Sequence, residues 1–215
     1  MTEAEFSSIV NSFLPLPDEP LKRMWQAFLA FQEQTEKLNL TGLKTEQERV
    51  IKLFVDSLGS LKFFDFSDVT TIADLGTGGG FPGVPLACVL EEPEFTLIDS
   101  TQKKIHAVSE IITKANLKNA TALWSRSEDL AKEGRQFEIV LTKALADFIP
   151  MLEFSLPLVA NGGSLVAYVG PNELPSGRQT QEVLEKNHAE FTSAHTYELP
   201  EGMGERQIFV ITRAR

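Results

Sequence analysis

Thr71-Ile72-Ala73-Asp74-Leu75-Gly76-Thr77-Gly78-Gly79-Gly80-Phe81-Pro82-Gly83 decides how the rest of the chain is read. The apolar residues from Val69 to Ala73 predict a short strand, which meets an acid and then four glycines within five residues. Pro85-Leu86-Ala87-Cys88-Val89-Leu90 predicts a helix directly after it. Glycines in a strand-to-helix turn permit positive φ and let a ligand approach bare backbone. The spacing Gly78-x-Gly80-x-x-Gly83 fits a dinucleotide fingerprint, so the glycines alone leave two cofactors open, a nucleoside diphosphate and S-adenosylmethionine. Asp74 separates them. A carboxylate beside the turn repels a pyrophosphate seated on helix amides, whereas it suits an ammonium and a sulfonium. Asp74, Gly78 and Gly80 are therefore candidates for holding S-adenosylmethionine, the alternative for Asp74 being a cap on the turn itself. The next strand, Phe95 to Ile98, ends at Asp99, placed to accept from both ribose hydroxyls of an adenosine. That feature serves either cofactor.

With 215 residues and a 42% hydrophobic share, the chain has material for one α/β domain and a modest extension. No apolar run approaches the roughly 18 residues of a membrane span, and the acidic start Met1-Thr2-Glu3-Ala4-Glu5 has no signal-peptide pattern. The single cysteine, Cys88, cannot form an internal disulfide and reads as a buried thiol in a reducing cytoplasm. A net charge of −10 argues against a broad polyanion-binding surface, so a nucleic-acid role must rest on particular residues. His106, His188 and His195 fall on separate elements without ligand spacing, and no metal site is expected.

The first 64 residues read as helices. Thr2 to Glu5 and Thr45 to Glu48 have capping-box spacing, the second opening a helix that runs through Leu58. Between them Asp18 is expected to cap a longer helix with Leu21, Met24, Trp25, Phe28 and Phe31 on one face, a packing stripe. From residue 65 onward strands and helices alternate, with strands expected at 69–73, 95–98, 120–124, 137–141, 164–169, 191–199 and 207–213. Alternation implies βαβ units and a parallel sheet whose ligand lies at the strands' carboxyl ends. Only Pro200 to Gly204 joins the last two strands, too short for a crossover, so they should pair antiparallel. The expected fold is α/β, Rossmann-like, of the class I methyltransferase type: a mostly parallel seven-stranded sheet with an antiparallel last strand. The helical extension (1–64) caps the cofactor-binding domain (65–215), the two forming one compact unit.

Several stretches together resemble the RsmG (GidB) family of bacterial ribosomal RNA methyltransferases. They are Asn39-Leu40-Thr41, Asp56-Ser57-Leu58, the long run from Asp74 to Leu86, Asp99-Ser100-x-x-Lys103-Lys104, Arg126-Ser127-Glu128 and Gly204-Glu205-Arg206. The resemblance implies methyl transfer from S-adenosylmethionine to N7 of a guanosine in small-subunit (16S) ribosomal RNA. It further implies that Gly76 and Phe81 lie against the cofactor, Ser127 and Glu128 beside the adenine, and Asp99 on the ribose. Lys143 stands where the family has an arginine beside the cofactor's methionine end, Leu53 where it has a histidine, and Val169 where it has a lysine.

Guanine N7 carries a lone pair and loses no proton on methylation, so the lack of an obvious His/Asp pair agrees with this chemistry. For the RNA, Lys103 and Lys104 open the helix after Asp99, and Arg126, Lys143, Arg178 and Arg206 could extend a patch. The alternative for the lysines is an ordinary solvated face. Asn39 and Thr41 either cap a turn or face the substrate. The expected partner is small-subunit ribosomal RNA or the ribosomal subunit, met by a cytoplasmic monomer with no membrane contact. Three other functions stay open: a cofactor-binding relative without turnover, a methyltransferase of small molecules or proteins, and a nicotinamide-dependent oxidoreductase.

Overall fold

The computed structural model describes residues 1–173 and 175–215. Seven strands form one sheet: β1 (Thr71–Leu75), β2 (Glu94–Asp99), β3 (Ala120–Trp124), β4 (Phe137–Lys143), β5 (Val159–Val169), β6 (Ala189–Glu198) and β7 (Glu205–Arg213). Their order is β3-β2-β1-β4-β5-β7-β6. The first five run parallel, and β7 runs antiparallel to both neighbours. The chain reverses its direction of travel across the sheet between β1 and β4, which opens a crevice at their carboxyl ends.

Eight α-helices accompany the sheet among the described residues: α1 (Glu3–Phe13), α2 (Asp18–Leu38), α3 (Glu46–Arg49), α4 (Gly83–Val89), α5 (Gln102–Lys114), α6 (Ser127–Lys132), α7 (Phe148–Ser155) and α8 (Arg178–Lys186). Strand periodicity divides the core in two. Ile72, Leu97, Ile139, Val166 and Ile208 pack on one face with α4 and α5. Ala73, Ile98, Val140, Leu165 and Phe209 pack on the other with α7 and α8.

The N-terminal helices belong to the first of these clusters. Phe6, Phe28, Phe31 and Phe54 are at most 1% exposed and merge with Phe81 of the glycine turn. Phe81 meets the rings of Phe31 and Phe54 edge-on at 5.0 Å each. The extension is thus a further layer over one face of the sheet. Both capping boxes form, through Thr2 with Glu5 and Thr45 with Glu48. Asp18 does not cap α2: Pro17 holds that position without a side-chain bond, and Asp18 is the first helical residue.

The helix expected from Thr45 to Leu58 departs from regular winding. After α3 the backbone is π-helical over Val50–Val55 and 3-10 over Leu58–Lys62. Residues 54–60 are all buried, which one stripe of an α-helix cannot provide. The change of winding brings Phe54 against the aromatic cluster and Asp56 against the sheet edge. Gly59 follows because a Cβ there would lie 2.4 Å from the Tyr197 ring.

Candidate cofactor and substrate site

The turn after β1 is organised by Asp74. Its Oδ2 accepts from the Thr77 hydroxyl at 2.6 Å and from the Gly83 amide at 2.8 Å. The side chain is fully buried, its Oδ1 has no partner, and burial pushes the carboxyl up to about 7 against the pull of those two hydrogen bonds. Asp74 therefore ties the two ends of the glycine turn together through Oδ2, the capping role that the sequence offered as its alternative. Gly83 must be glycine here, since a Cβ would come 2.3 Å from Leu97 Cδ2 and 2.7 Å from Asp74 Oδ2.

The turn presents bare backbone. Gly76, Gly78 and Gly80 have φ of 73°, 58° and 99°. Nothing but the Gly76 carbonyl, at 3.9 Å, would meet a Cβ on Gly78. Asp99 stands across from it at the end of β2, accepting from the Gly78 amide at 3.1 Å and the Thr101 amide at 2.8 Å. These contacts fix the carboxylate at the floor of a cavity of about 280 Å³. Gly76 forms one wall, Ser100 and Thr101 another, Arg126 to Glu128 a third, and Ala144 with Leu145 the last. Ser127 is buried and bonds Glu128 Oε2 at 3.0 Å.

A second cavity of about 200 Å³ adjoins the first through Ala144 and is lined by Asp56, Lys143, Tyr168, Val169 and Arg206. Ala144 has φ of 53°, a left-handed conformation uncommon outside glycine, at the partition between the two cavities. Asp56 is the buried anion of this region. Lys143 Nζ lies 2.8 Å and Arg206 Nε 3.7 Å from its Oδ2, and Tyr197 donates to Oδ1 at 2.7 Å. Lys143 also donates to the Lys52 carbonyl at 3.0 Å. Two of its three N–H donors are thus held, leaving one for a ligand.

A family model described as GidB, rRNA small subunit methyltransferase G, matches residues 22–208. The chain belongs to this family. A ribosomal RNA small subunit methyltransferase G of Staphylococcus aureus (strain bovine RF122 / ET3-1) is 34% identical over 203 residues, covering 92% of this chain and 84% of that one. One of Clostridium perfringens (strain 13 / Type A) is 39% identical over 155 residues, covering 69% and 65% respectively. The fold is shared with solved methyltransferases. A SAM-dependent methyltransferase from Aquifex aeolicus aligns with a TM-score of 0.52 at 22% identity, covering 76% of this chain and 92% of that one. A ribosomal protein L11 methylase from Lactobacillus delbrueckii subsp. bulgaricus aligns at 0.53 and 17% identity, covering 80% and 81%. The class I methyltransferase fold expected from the sequence is therefore the fold observed.

In this GidB-family chain most of the expected site residues fall into three groups, with Gly78, Asn39 and Lys103 outside them. Gly76, Asp99, Lys104, Arg126, Ser127 and Glu128 wall the larger cavity. Lys143 and Arg206 wall the smaller one. Asp74, Gly80 and Phe81 lie behind the walls: Phe81 is 7% exposed among aromatic side chains, and a Cβ on Gly80 would meet Val84 at 2.7 Å. The Phe81 ring joins the core, packed edge-on against Phe31 and Phe54. Asn39 is the left-handed C-cap of α2, and Leu40 after it borders Gly79 of the turn. Lys104 reaches back to Asp99 Oδ2 at 3.7 Å, whereas Lys103 is exposed. Arg178 pairs with Glu182 along its own helix, at 2.8 Å.

Two residues escaped sequence reasoning. Leu145 fills the space over Gly76, its Cδ1 2.3 Å from where a Cβ would stand. Asp56 appeared as part of a motif without a role; a lone acid in a run of seven buried residues was the available signal.

Proposed function

We propose that this chain transfers the methyl group of S-adenosylmethionine to N7 of a guanosine in 16S ribosomal RNA. Its family makes it a small-subunit ribosomal RNA methyltransferase. The observation that carries the finer reading is the pair of adjoining cavities at the carboxyl edge of the sheet, one floored by Asp99 and one lined by Lys143 and Arg206. The larger cavity fits an adenosine group: a fixed carboxylate faces bare glycine backbone, with Ser127 and Glu128 opposite. When bound, S-adenosylmethionine supplies a methyl carbon that the N7 lone pair attacks, the C–S bond breaking with its electrons on sulfur.

No proton leaves N7 in that step, so the protein's work is alignment and exclusion of water. Asp99 holds the ribose, Ser127 and Glu128 the adenine edge, and the remaining N–H of Lys143 the methionine carboxylate. The partition at Ala144 lets the two cavities meet. The same reading takes the chain as a cytoplasmic monomer; no helix among the described residues is long and apolar enough to cross a membrane. The deciding experiment incubates the protein with labelled S-adenosylmethionine and small subunits from a strain deleted for its gene. Label in 16S ribosomal RNA at an alkali-labile guanosine is expected; label elsewhere, or none, rejects the reading.

Asp99→Ala should weaken S-adenosylmethionine binding by about 1.5–3 kcal/mol in calorimetry, the range for charge-assisted hydrogen bonds. Unchanged affinity would remove Asp99 from the site. The two lysines should now separate. Lys103→Ala should lower the salt slope of RNA binding by about 1 and leave cofactor affinity at the parental value. Lys104→Ala should alter cofactor affinity, because Lys104 is paired with Asp99. Parental RNA binding at every salt concentration in Lys103→Ala would make Lys103 a solvated surface residue.

A further inference from the structure

Trp124 is the most exposed large apolar side chain among the described residues, at 57%. Indoles normally bury most of their surface, and leaving this one in water forgoes hydrophobic stabilisation. Flexibility does not account for it. The Trp124 Nε1–H donates to the Ser100 carbonyl at 3.0 Å, and the residue pairs with Asp99 in the last register position of β3 against β2. The ring is thus held at a fixed angle beside the larger cavity, whose rim includes Ser100 and Ser125.

In a chain of net charge −10, three cations stand close to Trp124 along the two segments it joins, together with the acids Asp99 and Glu128. Lys103 and Lys104 lie in the first turn of α5, three and four residues beyond Ser100, and Arg126 is the N-cap of α6, two residues beyond Trp124. All three are exposed. An anchored aromatic face flanked by cations is how single-stranded nucleic acid is held, bases on the ring and phosphates on the charges. A protein partner would be expected to bring a larger apolar contact than this single ring.

We propose that Trp124 is a stacking platform for an unpaired base of the RNA substrate, with Lys103 and Arg126 on the neighbouring phosphates. The proposal rests on the ribosomal RNA reading and adds that the substrate strand is single-stranded where it crosses the rim of the cofactor cavity. The target nucleotide then lies within a few residues of an unpaired neighbour, and duplex RNA is a poor ligand.

The probes are a decauridylate oligoribonucleotide, protein-free 16S ribosomal RNA and intact small subunits. Trp25 is buried, so the emission of Trp124 dominates what a base can quench. Decauridylate should quench the parental protein. Trp124→Ala should bind it about 5- to 150-fold more weakly, and Trp124→Phe should recover most of the loss because a π face remains. S-adenosylmethionine affinity and thermal midpoint should match the parent in both variants. Parental affinity for decauridylate in Trp124→Ala overturns the proposal. An equal loss of cofactor affinity assigns Trp124 to holding the Ser100 edge instead, which also overturns it. Weakened binding to small subunits, with protein-free RNA unaffected, points to a ribosomal protein and rejects the base. Parental protein that neither binds nor methylates 16S ribosomal RNA rejects the ribosomal reading itself, an outcome distinct from a failure confined to Trp124.

Discussion

Phe54→Ala should lower the free energy of unfolding by about 3–5 kcal/mol, the cost of deleting a buried phenyl ring and leaving a cavity. Phe54 is wholly buried, and its ring meets Phe6, Phe28, Phe31 and Phe81 at centroid distances of 5.0–6.1 Å. Those partners come from α1, from α2 and from the glycine turn. We therefore propose that the extension (1–64) and the domain (65–215) unfold together. A urea titration followed by tryptophan fluorescence and by far-ultraviolet circular dichroism tests both statements, since Trp25 reports the extension. Coincident midpoints, lowered in the variant, are expected. Two separate transitions would show that the extension folds apart, and a loss under about 1 kcal/mol would mean that the cluster collapses around the gap.

The second large effect is a pH dependence. Asp74 has a carboxyl raised from 3.8 to about 7 by burial, so the folded chain binds a proton there that the unfolded chain has released. The sign follows directly. Below pH about 4 both states hold the proton and Asp74 imposes no electrostatic cost. As pH rises toward 7 the unfolded state gains, and above 7 the cost is complete. Its size is about 4 kcal/mol, from 1.36 kcal/mol per pH unit of displacement. Asp74→Asn keeps an acceptor for Thr77 and Gly83 but cannot ionise. Its stability relative to the parent should therefore rise by that amount between pH 4 and pH 8. Comparing the two proteins at each pH cancels the other titrating groups, and a difference that stays flat across the range would reject the raised carboxyl.

Much of this was legible in the residues. Alternation of strand and helix patterns, the glycine turn and the five-residue link before the last strand specify a mostly parallel sheet with an antiparallel last strand, because each is local. Asp99 was equally plain, its position at a strand tip being both a sequence and a structural fact. For Asp74 the sequence left two roles, a cofactor contact and a cap on the turn: whether a carboxylate at a turn faces outward or inward depends on donors at Thr77 and Gly83, which only the folded turn brings round. The packing of the Phe81 ring was hidden for a similar reason, since the rings it meets lie about 25 to 50 residues earlier. The π-helical stretch carried no cue, because Val50 to Val55 suit an α-helix as well and the demand for continuous burial is tertiary. Asp56 belongs with these. Its partners come from strands whose order had first to be known.

The strand order has a bearing on how the chain is made. Among the described residues β6 pairs with no strand but β7, and β7 connects it to β5. During vectorial synthesis the sixth strand emerges before its partner β7, so β6 waits for β7 and the two join the sheet through the pairing of β7 with β5. Until then β5 is an open edge able to recruit another chain. A nascent chain stalled within β7, a strand of nine residues, would thus forfeit two strands rather than one.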